Sequence, residues 1–145
     1  MKAVTSKSLK DTEEIARSVL SLIKPAKVAA VIALYGDLGS GKTAFVQAVA
    51  RILGISEPIT SPTFVIQKRY PIEYGGFKDL YHLDCYRLKE SGDLEALGFC
   101  EIMRDSENII FIEWAERVEE LLPKNATKIQ FKFIDDRTRE ITFME

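Results

Sequence analysis

The sequence predicts a three-layer α/β sandwich built on a mixed, mainly parallel central sheet with antiparallel additions. Three observations carry that expectation. Short apolar runs suited to buried strands, Ala29–Tyr35 and Ile109–Ile112, alternate with stretches whose apolar residues recur at helical spacing. The octet Gly36-Asp37-Leu38-Gly39-Ser40-Gly41-Lys42-Thr43 fits the pattern G-x-x-x-x-G-K-[ST] without a mismatch, and it stands between an apolar run and a helical pattern. Two pairs of strand-like segments flank turn residues in the middle and at the C-terminal end, which adds antiparallel hairpins to a parallel centre. The octet makes this a sandwich of the P-loop NTPase kind, and 145 residues are expected to form one domain, 1–145.

Residues near Ala3–Thr5 read as a short strand. Asp11-Thr12-Glu13-Glu14 resembles a helix start, with an N-cap candidate and a carboxylate three residues on. Ile15, Ala16, Val19, Leu20 and Ile23 give this helix a buried stripe, and Pro25 ends it. After Ala29–Tyr35 and the octet, Phe45, Val46, Val49, Ala50 and Leu53 share one face of a helix starting near Lys42; Gly54 and Pro58 stop it. Thr63–Tyr70 and Lys78–Arg87 read as strands joined through Tyr74-Gly75-Gly76-Phe77. Asp93–Met103 is a short helical region broken near Gly98. Ile109–Ile112 is a buried strand, Ala115–Leu122 a helix closed by Pro123, and Lys128–Ile134 with Thr138–Phe143 a hairpin around Asp135-Asp136-Arg137.

Composition removes several function classes. A formal net charge of −2 offers no basic excess for strong nucleic-acid binding by this chain alone. The polar N-terminal stretch lacks a signal peptide's apolar core, and the longest apolar run, Val28–Tyr35, is far too short to span a bilayer. A cytoplasmic protein with no membrane partner is expected. Cys85 and Cys100 stand in no metal-ligand spacing and read as buried packing residues, not a disulfide.

The octet carries the chemistry. Its glycines let the backbone fold tightly and point successive N–H groups at one anion, and the helix that follows adds its positive end. Lys42 supplies a mobile cation for terminal phosphates, and the Thr43 hydroxyl is placed for Mg²⁺. The expected ligand is a nucleoside triphosphate. Glu113 follows a buried apolar strand, where proteins of this kind hold Mg²⁺ directly or through water; capping the next helix is its structural alternative. Trp114 is read first as a core anchor, with its role left open. In Leu80–Arg87, alternation puts His82, Asp84 and Tyr86 on one face and Tyr81, Leu83 and Cys85 on the other. Asp84 is a candidate to orient an attacking water, act as base or stand behind Mg²⁺, with a salt bridge as the plainer reading. His82 reads as a satisfied half-buried ring. Arg87 suits phosphate, solvent or a partner surface. The hydroxyls of Thr60-Ser61-Pro62-Thr63-Phe64 suit either a loop that senses a γ-phosphate or a plain turn.

Taken together, Gly36–Thr43, Ser61-Pro62-Thr63-Phe64, Tyr81–Arg87 and Ile112-Glu113-Trp114 resemble the TsaE family, small bacterial ATPases of tRNA threonylcarbamoyladenosine synthesis. Asp11-Thr12-Glu13 and Arg139-Glu140-Ile141 resemble the family's terminal segments, so the likeness covers nearly the whole chain. Cys85 departs from the family's usual aliphatic residue, which bears on packing and not chemistry, and Ala115 departs from a frequent proline, which puts nothing catalytic in doubt. The resemblance implies that Leu38, Gly39, Ser40, Gly41 and Lys42 wrap the phosphates and that Thr43 and Glu113 hold Mg²⁺. It also implies that Asp84, with Lys42, serves hydrolysis, that Thr12 approaches adenine, and that Arg139 contributes to the nucleotide pocket. ATP and Mg²⁺ are the implied ligands. The implied partners are TsaD and TsaB, which modify adenosine 37 of tRNA while this chain meets tRNA only through them. The absence of an Asn-Lys-x-Asp stretch independently favours adenine over guanine.

Two rival readings belong to other classes. A small-molecule P-loop kinase uses the same cradle but needs a second pocket and usually an arginine-bearing lid, for which the sequence shows no insertion. A nucleotide-gated adaptor needs ATP binding alone, with hydrolysis incidental.

Overall fold

The computed structural model of the protein describes residues 2–37, 39–59, 67–90 and 92–144. Its elements run β1 (Lys2–Ser6), α1 (Leu9–Leu22), β2 (Ala30–Tyr35), α2 (Lys42–Ile52), β3 (Gln67–Tyr74), β4 (Phe77–Asp84), α3 (Gly92–Glu95), α4 (Phe99–Arg104), β5 (Asn108–Glu113), a 3₁₀ helix (Ala115–Leu121), β6 (Thr127–Asp135) and β7 (Thr138–Met144). Among the described residues, seven strands form one sheet in the order β1-β7-β6-β2-β5-β4-β3. The four inner strands β6, β2, β5 and β4 are mutually parallel. Antiparallel pairs extend the sheet on both sides, β7 and β1 at one edge and β3 at the other. The expected mixed α/β architecture is therefore present, with its parallel ladders concentrated at the centre.

Side-chain alternation divides the interior into two layers. Ile32 and Leu34 of β2 join Ile109 and Phe111 of β5 beneath α1 and α2, where Val19, Leu20, Phe45, Val46 and Val49 cover them. Val31, Ala33 and Tyr35 point the other way with Ile110 and Ile112, toward Leu94, Phe99 and Val118. Strands buried on both faces read as continuous apolar runs, which is why β2 and β5 were legible as such. Pro71 lies in β3, at the edge of the sheet, where a missing N–H costs least.

Several boundaries differ from expectation. The cap of helix α1 lies three residues before the expected one: Ser8 accepts from the Asp11 N–H at 3.0 Å, and the Asp11 carboxylate accepts from the Lys7 N–H at 2.9 Å. Ser8 is thus the cap, and Asp11 is the first-turn carboxylate that complements the helix's positive end. The segment after β5 winds as a 3₁₀ helix broken at Val118 (φ −132°), entered through a left-handed Trp114 without a side-chain cap. That entrance and that break leave no uninterrupted run for α-helical bonding. Leu38 and the segment Thr60-Ser61-Pro62-Thr63-Phe64, with the first residues of the strand expected from Thr63, lie outside the described residues. Cys85 and Cys100 are both free thiols, the first buried and the second half-buried. Among the described residues no helix is long and apolar enough to cross a membrane.

Candidate active site

The parallel strands β2, β5 and β4 end along one edge of the sheet. Leu34 lies beside Glu113 and Glu113 beside Asp84 in register. Edges of this kind, beyond the C-terminal ends of parallel strands, are where open α/β sheets hold ligands. β2 runs straight into the loop. A Cβ on Gly36 (φ +139°) would sit 2.4 Å from the Phe131 carbonyl oxygen and 2.7 Å from the Ser40 hydroxyl, so only glycine lets the chain leave the sheet here. The loop closes with Ser40 N–H donating to the Asp37 carbonyl at 3.1 Å, and α2 starts from Gly41 (φ +108°). The first N–H groups of α2 have no partner within the helix and add to its positive end, the setting that favours an anion.

Lys42 is buried, and its ammonium donates to the Gly36 carbonyl and, at 3.1 Å, to the Asp37 carbonyl. It also lies 4.0 Å from the centre of the Trp114 ring, within cation–π range. Burial holds its pKa below the ordinary lysine value, opposed by the carboxylates of Glu113, Glu116, Asp84 and Asp37. Trp114 is the one non-glycine with positive φ among the described residues (φ 58°), a conformation that costs of order 1–2 kcal/mol. It packs against Tyr86 with ring centres 4.9 Å apart, and Arg117 lies over Tyr86 in turn. Trp114 is therefore a half-buried wall over Lys42 and no deep core anchor.

Thr43 and Glu113, far apart in sequence, meet at this edge. The Thr43 hydroxyl donates toward Oε1 of Glu113 at 2.9 Å and lies 3.1 Å from Oε2. Glu113 is only 3% exposed, at the very end of β5, so its carboxylate depends on nearby donors. The pair offers a hydroxyl and a carboxylate, hard oxygen donors that fit Mg²⁺, which keeps several waters and leans on one or two carboxylates plus phosphates. No cluster of three or more His, Cys, Asp or Glu suited to an all-protein metal cage occurs among the described residues. Asp84 is half-buried beside Glu113 and accepts from the Tyr86 N–H at 2.9 Å. Arg87 is exposed.

Thr12 and Arg139 come together on the other side of the loop. With Ser6, Leu9, Gly41 and Ala44 they line an open cavity of ≈370 Å³, within the usual size of small-ligand pockets. The Thr12 hydroxyl is 2.6 Å from that of Ser6. Arg139 donates to the carbonyls of Asp135 (2.6 Å) and Thr138 (3.1 Å) and lies over Phe133, which sets its stem against Gly41. The cavity thus opens directly onto the N-terminus of α2.

A family model described as "Threonylcarbamoyl adenosine biosynthesis protein TsaE" matches residues 6–141. The tRNA threonylcarbamoyladenosine biosynthesis protein TsaE of Bacillus subtilis is 39% identical over 92% of this chain and 78% of its own length. That of Treponema pallidum is 38% identical over 94% and 96%. The crystal structure of Bacillus subtilis YdiB superposes with a TM-score of 0.76 at 34% identity, covering 98% of this chain and 83% of that one. The chain belongs to the TsaE family.

Two features of this TsaE-family site escaped the sequence reading. His82 was expected to be half-buried; it is fully buried, with Nε2 2.5 Å from Oε2 of Glu113. Alternation had already put it on the face of Leu80, and the same parity puts Glu113 with Phe111, so the signal existed once the two strands were known to be neighbours. The Trp114–Lys42 contact had no such signal, because it depends on a left-handed residue after the strand.

Proposed function

We propose that this chain binds ATP with Mg²⁺ at Gly36–Thr43 and hydrolyses it in support of N6-threonylcarbamoyladenosine formation at position 37 of tRNAs. It acts with TsaD and TsaB and does not modify tRNA itself. The observation that carries this reading is the Thr43–Glu113 contact at 2.9 Å, which joins the end of the glycine loop to a buried carboxylate on the neighbouring parallel strand. Thr43 and Glu113 would hold the metal. Bound Mg²⁺ supplies charge neutralisation at the phosphate oxygens.

The remaining groups divide the work. Gly39, Ser40, Gly41 and the N-terminus of α2 receive the phosphates, with Leu38 completing the loop in sequence. Lys42 exchanges the carbonyls of Gly36 and Asp37 for phosphate oxygens, a short movement that keeps its charge paired. Asp84, beside Glu113, orients the attacking water or takes its proton. The cavity at Thr12 and Arg139 receives the nucleoside.

Phosphate-loop hydrolysis is commonly completed by an added cation or by ordering of a loop, and a partner can supply either. Phosphate release by the isolated protein should therefore be slow and should accelerate when TsaD and TsaB are added. Equal rates with and without them would refute the partnership. Transfer of the phosphoryl group to a small metabolite would put a kinase in its place.

A further inference from the structure

His82 is the chain's single histidine and is completely buried, yet none of the roles assigned above uses it. Its Nε2 lies 2.5 Å from Oε2 of Glu113, whereas Nδ1 has no hydrogen-bond partner among the described residues. A nitrogen that close to a carboxylate oxygen carries the ring's hydrogen. The tautomer with hydrogen on Nε2 then leaves a bare lone pair at Nδ1, a smaller penalty than a buried N–H without an acceptor. As packing alone, an imidazole here is a poor choice, because an apolar side chain would fill the space with no orphaned nitrogen.

What the ring accomplishes is visible at Glu113. The terminal torsion of a glutamate is broad, so a carboxylate held at one point can swivel. Here Thr43 lies 2.9 Å from Oε1 and 3.1 Å from Oε2, and His82 meets Oε2 from the other side. These contacts fix the plane of the group and leave Oε1 as the oxygen not claimed by His82. Strand pairing makes the arrangement stiff: His82 is in register with Phe111, and Asp84 with Glu113, on adjacent parallel strands.

We infer that His82 is a positioning residue that fixes the Glu113 carboxylate for Mg²⁺ by donating from Nε2 to Oε2. This inference rests on the Mg²⁺–nucleotide reading above. Groups that orient a metal-binding carboxylate typically change metal affinity about 10–100-fold when lost.

Two substitutions separate the donor from the ring. His82→Gln can return an N–H near the Nε2 position, and His82→Leu cannot. With ADP as the probe, the Mg²⁺ concentration giving half-maximal thermal stabilisation should rise about 10–100-fold in His82→Leu. It should rise much less in His82→Gln, and ADP binding in EDTA should be equal in all three proteins. A single histidine also makes nitrogen NMR of the ¹⁵N-histidine-labelled wild type unambiguous, whatever the variants do. It should report hydrogen on Nε2, with a resonance that moves when Mg²⁺ is added to the ADP complex. The inference is overturned if folded His82→Leu needs no more Mg²⁺ than wild type, if His82→Gln fails as fully as His82→Leu, or if the ring resonance ignores Mg²⁺. A wild type showing no Mg²⁺-dependent stabilisation by ADP would instead overturn the nucleotide reading, and this inference with it.

Discussion

Glu113→Gln tests the metal pair with the least disturbance of structure. In the folded protein the carboxylate accepts from His82 and from Thr43. A glutamine fits the same contacts: its carbonyl can accept from His82, and its amide can donate to Thr43 once that hydroxyl turns from donor to acceptor. What is lost is the extra strength of charge-assisted bonds, about 1 kcal/mol each, and what is relieved is the cost of keeping a carboxylate 3% exposed. These opposing terms leave the ligand-free protein within about 1 kcal/mol of wild type. Binding behaves differently, because the metal loses a formal charge. A nucleotide present at about 100 times its dissociation constant stabilises the fold by about 2.7 kcal/mol. Weakening of about 10–100-fold removes about 1.3–2.3 kcal/mol of that. At about 2–4 °C per kcal/mol for a domain near this size, the Mg²⁺-dependent rise in Tm should shrink by roughly 3–9 °C. Thermal melts with ADP, in Mg²⁺ and in EDTA, measure both effects. An undiminished Mg²⁺-dependent shift would refute the metal role of Glu113, and a ligand-free loss above about 3 kcal/mol would mark it as a structural ion instead.

Lys42→Ala should abolish most of the nucleotide-induced rise in Tm while the protein remains folded, as circular dichroism and the same melts would show; an unchanged rise would refute the phosphate-loop assignment. Asp84→Asn should leave fluorescent-nucleotide affinity nearly intact and depress turnover at least about tenfold, whereas equal loss of binding in Asp84→Asn and Glu113→Gln would make Asp84 a metal ligand too. Gly36→Ala and Gly39→Ala should differ in urea unfolding. The first sets a Cβ 2.4 Å from the Phe131 carbonyl, and the second meets nothing within 4 Å. Expected losses are about 2–5 kcal/mol against about 1–2 kcal/mol, the latter from positive φ alone, and equal losses would show that crowding at Gly36 is irrelevant.

Much of the fold could be read from sequence because its centre is buried on both faces. Continuous apolar runs at β2 and β5, and the alternation of helices with them, needed no knowledge of partners. The start of α1 was misread because two polar residues, Ser8 and Asp11, both suit a helix N-terminus, and which one caps is settled by a 3.0 Å bond and not by residue type. The site followed a similar division. Thr43 and Glu113 were each named for a metal from their places in the sequence, and they lie in contact because the glycine loop follows β2 and Glu113 ends its parallel neighbour β5. His82 was undervalued because burial of a lone histidine depends on which strand lies next to it.

The same geometry explains how charged groups survive inside the site before any ligand arrives. Lys42 and Glu113 are both nearly buried, a costly condition for either ion alone. Each is met by local groups: Lys42 by the carbonyls of Gly36 and Asp37 and the face of Trp114, Glu113 by Thr43 and His82. The cation is held by backbone oxygens of the loop proposed to receive phosphate, and the anion by the hydroxyl that would share its metal. Under the proposed function, binding Mg²⁺ and a nucleotide would replace contacts in place and would not have to assemble charges from solvent. Preorganisation of this kind favours affinity, since little ordering remains to be done. It also makes Trp114 informative: its strained left-handed backbone keeps an aromatic face on Lys42. Were Lys42 to move from its carbonyls to a phosphate, as proposed, that ring would lose its cation, which would link phosphate capture in the loop to the packing of Trp114 on Tyr86.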